Sequence, residues 1–193
     1  MSNKISEIID KINALEGELE KEVAKRHVLM EEKFLALGEE IKKMQQKAKI
    51  SSLRYLANAN ILVILTVPII YSLIFAFVLL DLLVSIYQAI CFPIYKIEKV
   101  KRKDYLIFDR RKLTYLNFIE KINCTYCSYG NGVIAYAREI AARTEKFWCP
   151  IKHSLRKHGV HQYYRSFEEY GDGEEYHKRL IEHQKELERK EKE

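Results

Sequence analysis

The sequence predicts an all-α, membrane-anchored protein, and three observations carry that prediction. Apolar residues near the N-terminus recur at heptad spacing. A stretch from Tyr55 to Tyr95 contains no Lys or Arg and a single carboxylate, Asp81. The remainder is helical in period, with seven glycines and three prolines in 193 residues, too few for a loop-rich or β fold. Four parts follow: a coiled-coil helix over 1–54, a membrane segment over 55–95, a Cys/His domain over 96–171 and a charged helix or tail over 172–193.

In the first part Ile5, Ile8, Ile12, Leu15 and Leu19 step by three and four residues, and Met30, Phe34, Leu37, Ile41 and Met44 resume the pattern. Val23 bridges the gap as one hendecad or stutter. Glu and Lys fill the outer positions, so one long helix to about Ser52 and a homo-oligomer are expected. An amphipathic helix folded on its own chain or on a bilayer is the alternative.

Ile61 to Leu80 alone supplies the ~20 apolar residues a bilayer crossing needs. The full stretch as one helix would reach about 60 Å, twice the hydrocarbon core. The absence of Gly, Pro and Asn between Ile69 and Phe92 favours a single span. Charge favours a hairpin of two short spans or a re-entrant loop, with Pro68 a kink or the bend, because Lys42, Lys43, Lys47, Lys49 and Arg54 precede the stretch and Lys96, Lys99, Lys101, Arg102 and Lys103 follow it. Both flanks then lie in the cytoplasm, and the hairpin is the expectation. Asp81 is a functional candidate as an intramembrane carboxylate, or an inexpensive one near an interface. Cys91 reads as a small apolar residue.

The third part holds the most specific pattern. Cys124 and Cys127 form C-x2-C, a presumed loop follows over Ser128–Gly132, a helix over Val133–Phe147, and then Cys149-Pro150 with His153. Pro at a helix start would set Cys149 and His153 at i and i+4 on one face. Cys124, Cys127, Cys149 and His153 are thus the ligand set expected for a structural zinc. A geometric objection stands against it: the intervening helix spans about 22 Å, so the loop must double back, the helix must break, or a second subunit must supply half. Otherwise the pattern is a C-x2-C dithiol and a separate Cys149–His153 pair. An Fe–S centre, a haem and inert buried thiols are the other readings.

The run from Phe108 to His153, with N-C-T-Y-C and W-C-P-I-K-H as its specific strings, resembles a group of uncharacterised bacterial inner-membrane proteins. The resemblance extends from about Leu80-Asp81 to about Asp172 and leaves out the N-terminal helix. It implies a bacterial inner-membrane protein and points to no particular activity.

Around this run, the basic and aromatic residues 96–112 suit anionic headgroups, and Leu113–Ile122 reads as a short amphipathic helix. Tyr163, Tyr164, Phe167 and Tyr170 read as core. A net charge of +6, spread along the chain, argues for a membrane surface and against nucleic acid. There is no phosphate-binding, dinucleotide, G-x-S-x-G or H-E-x-x-H motif. The expected function is a self-associating membrane scaffold or assembly protein with a structural zinc site, and an enzymatic role is the less favoured reading. A membrane redox protein and an oligomeric pore are the alternatives.

Overall fold

In a computed structural model, residues 2–36, 38–173 and 176–190 are described. Six α-helices account for most of them: α1 Ser2–Ala36, α2 Gly38–Lys47, α3 Ser52–Ala57, α4 Ile61–Tyr95, α5 Phe118–Trp148 and α6 Tyr176–Lys190. No strand occurs among the described residues; one isolated parallel bridge joins Ile151 to Glu168. The chain divides into two compact units, Met1–Ser51 with Leu113–Asn117, and Ser52–Lys112 with Phe118–Glu193.

The first unit contains the two helices α1 and α2, helical as the heptad spacing predicts, and α2 ends at Lys47, short of the expected Ser52. Ile8, Leu15, Leu19, Val23, Met30 and Met44 are all exposed. Leu37 lies outside the described residues, as do the side chains of Ile5, Phe34 and Ile41. Within this unit the Gln45 side-chain oxygen accepts from the Thr114 hydroxyl at 2.7 Å and from its amide at 3.3 Å.

In the second unit the expected hairpin is not formed. Ile61–Tyr95 is one continuous helix, capped by the Asn60 side chain, which accepts from the Leu62 amide at 2.9 Å. Pro68 sits inside it without a bend that ends it. The lack of any turn-forming residue between Ile69 and Phe92 prevails over the charge argument. At the far end Lys96 adopts a left-handed conformation (φ 58°), and the Ile97 amide returns to the Phe92 carbonyl at 2.9 Å. That cap reverses the chain.

Ile97–Lys112 then runs back along α4. Val100 lies at Gln88, Arg102 at Asp81, and Arg111 near Tyr71 and Ile74. This return lets α5 start at the early end of α4 and run parallel to it. The Tyr71 hydroxyl bonds Asn123, Phe77 lies on Gly130, Tyr87 bonds Thr144, and Tyr95 stacks on Phe147. Phe92, Val100, Leu106, Val133, Tyr136 and Ile140 form the core between the three layers.

The loop expected over Ser128–Gly132 is a second correction. Those residues lie inside α5, and the short helix read over Leu113–Ile122 merges into it from Phe118. Gly130 and Gly132 look like turn residues in sequence, yet here they are buried close-approach points. A Cβ on Gly132 would stand 2.7 Å from the Tyr105 carbonyl oxygen, and one on Gly130 the same distance from the Phe77 ring. Helical glycine costs about 1 kcal/mol relative to alanine; the missing side chains let the return segment and α4 pack directly on α5.

Candidate functional site: a polar layer along α4

The residues proposed from sequence as one metal centre are not brought together. Cys124 and Cys127 lie in the first third of α5 and Cys149 follows its last residue. At ~1.5 Å per residue, 22 helical residues hold Cys127 and Cys149 about 33 Å apart. The Cys149–His153 pair also lacks its helix: the chain there is extended, with the Lys152 amide bonded to the Glu168 carbonyl and the His153 amide to the Tyr164 hydroxyl. Among the described residues no three His, Cys, Asp or Glu side chains are grouped to hold a metal ion. Within one copy Cys124, Cys127, Cys149 and His153 do not meet at a single four-ligand site. Cys124 and Cys127 remain neighbours at i,i+3, with Cβ atoms about 5–6 Å apart. A disulfide needs about 3.5–4.5 Å, so closing one would distort α5. Cys127 and Cys149 are exposed, Cys124 and Cys91 half-buried.

The structure instead assembles polar groups around Asp81. This carboxylate is buried on the covered side of α4 and takes two bonds from the Arg102 guanidinium, at 2.9 and 2.6 Å. The Tyr129 hydroxyl donates a third at 3.0 Å. Bonding to Asp81 raises the Arg102 pKa further above its usual range. Burial, then the bond to Asp81, pushes the Tyr129 phenol up. Three of the roughly four lone-pair directions of Asp81 are thereby used by α5 and the return segment.

Two turns further on, Gln88 acts as a side-chain substitute for a strand. Its oxygen accepts from the Val100 amide at 3.0 Å and its nitrogen donates to the Val100 carbonyl at 3.2 Å. The same nitrogen also donates to the Tyr136 hydroxyl, which lies 3.3 Å from the Ser85 hydroxyl. A return segment with no strand partner would bury bare backbone groups; Gln88 satisfies one such pair. The layer is therefore a clamp that fixes the return segment on α4.

Sequence reading singled out Asp81 but not its partners. A lone carboxylate in an apolar stretch implies a cation, yet the flank offers several, and only the reversal at Lys96 selects Arg102. Gln88 carried a signal that went unread, as a polar side chain in a stretch without charges other than Asp81.

A second polar group decorates the outer side of α5. Glu139 accepts from Arg143 at 2.8 Å and from the Tyr163 hydroxyl at 2.7 Å, and Glu145 bonds the His161 ring at 2.9 Å. Burial, then Glu139, raises the Tyr163 pKa. Arg138 donates to the carbonyls of Gly159 and Val160, and Arg143 to that of Glu98. The Arg138, Tyr163 and His161 contacts hold the C-terminal loops, and the Arg143–Glu98 contact holds the return segment. No family model matches the chain, and no curated protein or solved structure matches it.

Proposed function

We propose that the protein is a membrane-attached, self-associating scaffold or assembly factor of the bacterial inner membrane, with α4 as its membrane element. The observation that carries this reading is the uncovered face of α4. Leu62, Leu65, Ile69, Leu73, Ala76, Leu79, Leu83, Ile86, Ile90 and Ile94 are exposed and fall at three- and four-residue steps along the whole helix. No residue of its most apolar 18-residue window is buried, and the helix is long and apolar enough to cross a bilayer. Its two early hydroxyls fold back on their own helix, Thr66 to the Val63 carbonyl and Ser72 to Ile69, both at 2.7 Å. That is the behaviour expected of hydroxyls in apolar surroundings.

The reading places α4 along the membrane, with the polar layer on the water side. A perpendicular crossing by Ile61–Leu80 would carry the Tyr71–Asn123 pair and the nearby Arg111 and Lys121 into hydrocarbon, at several kcal/mol for unmet polar groups. Lying along the surface also keeps both basic flanks in one compartment, the cytoplasm. The expected result is that the protein resists alkaline extraction from membranes, and that cytoplasmic reporters fused at each end are both active. Activity at one end alone means that α4 crosses; release by alkali removes the membrane reading.

Self-association rests on the exposed apolar seam of α1. The chain lacking residues 1–45 is expected to show a smaller mass in detergent by light scattering. An unchanged mass assigns the contact to another element.

A further inference from the structure

We propose that a cleft between α4, the Asp109–Lys112 turn and the start of α5 binds one anionic phospholipid, its phosphate held by Arg111 and Lys121. This rests on the membrane reading above and deepens it. The cleft measures about 520 Å³ and is lined by Tyr71, Ile74, Phe118, Ile122 and Tyr126 beside the two cations. That volume is within the range of about 300–1,000 Å³ typical of sites for single small ligands.

The chemistry of its walls is one-sided. The polar groups other than the cations are already used: Tyr71 bonds Asn123, Tyr126 donates to the Ile70 carbonyl at 2.6 Å, and the Thr125 hydroxyl donates to the Lys121 carbonyl at 2.7 Å. Arg111 and Lys121 are in no ion pair among the described residues, although Asp109 and Glu120 are their sequence neighbours. Two unpaired cations above an apolar floor ask for a ligand that is anionic at one end and hydrocarbon at the other. The guanidinium can take two phosphate oxygens in its fork, and the ammonium supplies a point charge.

Position selects a lipid over a free anion. Ile74 is one turn beyond Ile70, the last residue of the stretch Ile61–Ile70, which is largely exposed and apolar on several sides. An acyl chain leaving the cleft over Ile74 and Phe118 would continue onto this apolar surface, whose one side-chain hydroxyl, Thr66, is turned back on the Val63 carbonyl. Phe118 itself is strongly exposed at the mouth. Free inorganic phosphate would meet the cations but leave the apolar floor wet.

The test is native mass spectrometry of the full chain in detergent, titrated with phosphatidylglycerol or phosphatidylcholine. The expected result is one tightly held phosphatidylglycerol and weaker phosphatidylcholine. Arg111→Gln and Lys121→Gln should each weaken the anionic lipid about fivefold, as one cation at an anionic headgroup contributes. Arg110→Gln, an adjacent cation outside the cleft, should leave it unchanged, and Arg111→Lys should recover part of the loss. Circular dichroism of each variant checks the fold. Equal affinity for the two lipids, or an equal loss in Arg110→Gln, overturns the site. Displacement of the lipid by glycerol phosphate at matching concentration assigns it to a free anion and also overturns the proposal. Release by alkali, by contrast, would remove the membrane reading while lipid binding in detergent stayed measurable.

Discussion

Gly132→Ala is expected to destabilise the α4–α5 unit by about 2 kcal/mol, although alanine is the better helix former. The gain in helix propensity is about 1 kcal/mol. Against it, the new methyl would lie 2.7 Å from the Tyr105 carbonyl oxygen and 3.3 Å from Leu106. The obstruction is backbone, so relief requires the return segment to lift off α5. Overpacking of this kind costs about 1–3 kcal/mol and sometimes more, and lifting the segment also pulls on the Gln88–Val100 bonds. For a chain of this length the melting temperature should fall by roughly 4–8 °C, read by the fluorescence of Trp148, which packs on Tyr95 and Phe147. Gly130→Ala is the control, because its methyl meets the Phe77 ring, which can turn away. A Gly132→Ala protein as stable as the parent would mean that the return segment does not lie on α5.

Arg102→Ala is expected to cost about 2–3 kcal/mol. Removing one partner of a fully buried pair costs about 3–5 kcal/mol, because the other charge is left without compensation. Here the Asp81 side chain is 10% exposed and that of Arg102 is 48% exposed, so solvent already screens one half and the loss is discounted. Arg102→Lys keeps the charge but loses the two-pronged geometry, and should fall between the parent and the alanine variant. The double variant Asp81→Leu with Arg102→Leu should be more stable than Arg102→Ala alone, since no buried charge remains. Chemical denaturation in detergent measures all three. If Arg102→Ala matched the parent, Asp81 would be in contact with solvent and the clamp would not exist.

These variants touch the parts of the fold that sequence reading could not reach. Helical class was legible because the 3.6-residue period and the scarcity of Gly and Pro are local properties. The long apolar helix was legible in composition, but its continuity was not, because basic residues on both flanks suggested a hairpin. In fact Lys96 turns the chain back alongside α4, and Arg102 is spent on Asp81 well inside the helix ends. The glycines of S-Y-G-N-G misled for a related reason. A glycine signals either a turn or a close approach, and only the tertiary partner tells which. The C-x2-C and W-C-P-I-K-H strings drew the eye as metal ligands, yet a helix of known rise stands between them. The rise per residue was available from the start, and the objection it raised is what the structure bears out. Asp81 was legible as a site, its partners were not, since their pairing depends on a reversal that no local signal announces.

The parallel run of α4 and α5 has a consequence for how the chain is made. Every hydrogen bond between these two helices joins residues 48 to 57 positions apart. Translation at about 5–20 residues per second therefore leaves each part of α4 without its cover for roughly 2–12 seconds after it is synthesised. During that interval the side of α4 that α5 will cover is bare, and only the return segment Ile97–Lys112 is available to pack on it. On the membrane reading the order of synthesis would hand α4 to the lipid before α5 is made, whereas the Gln88–Val100 and Asp81–Arg102 bonds, 12 and 21 positions apart, can close earlier.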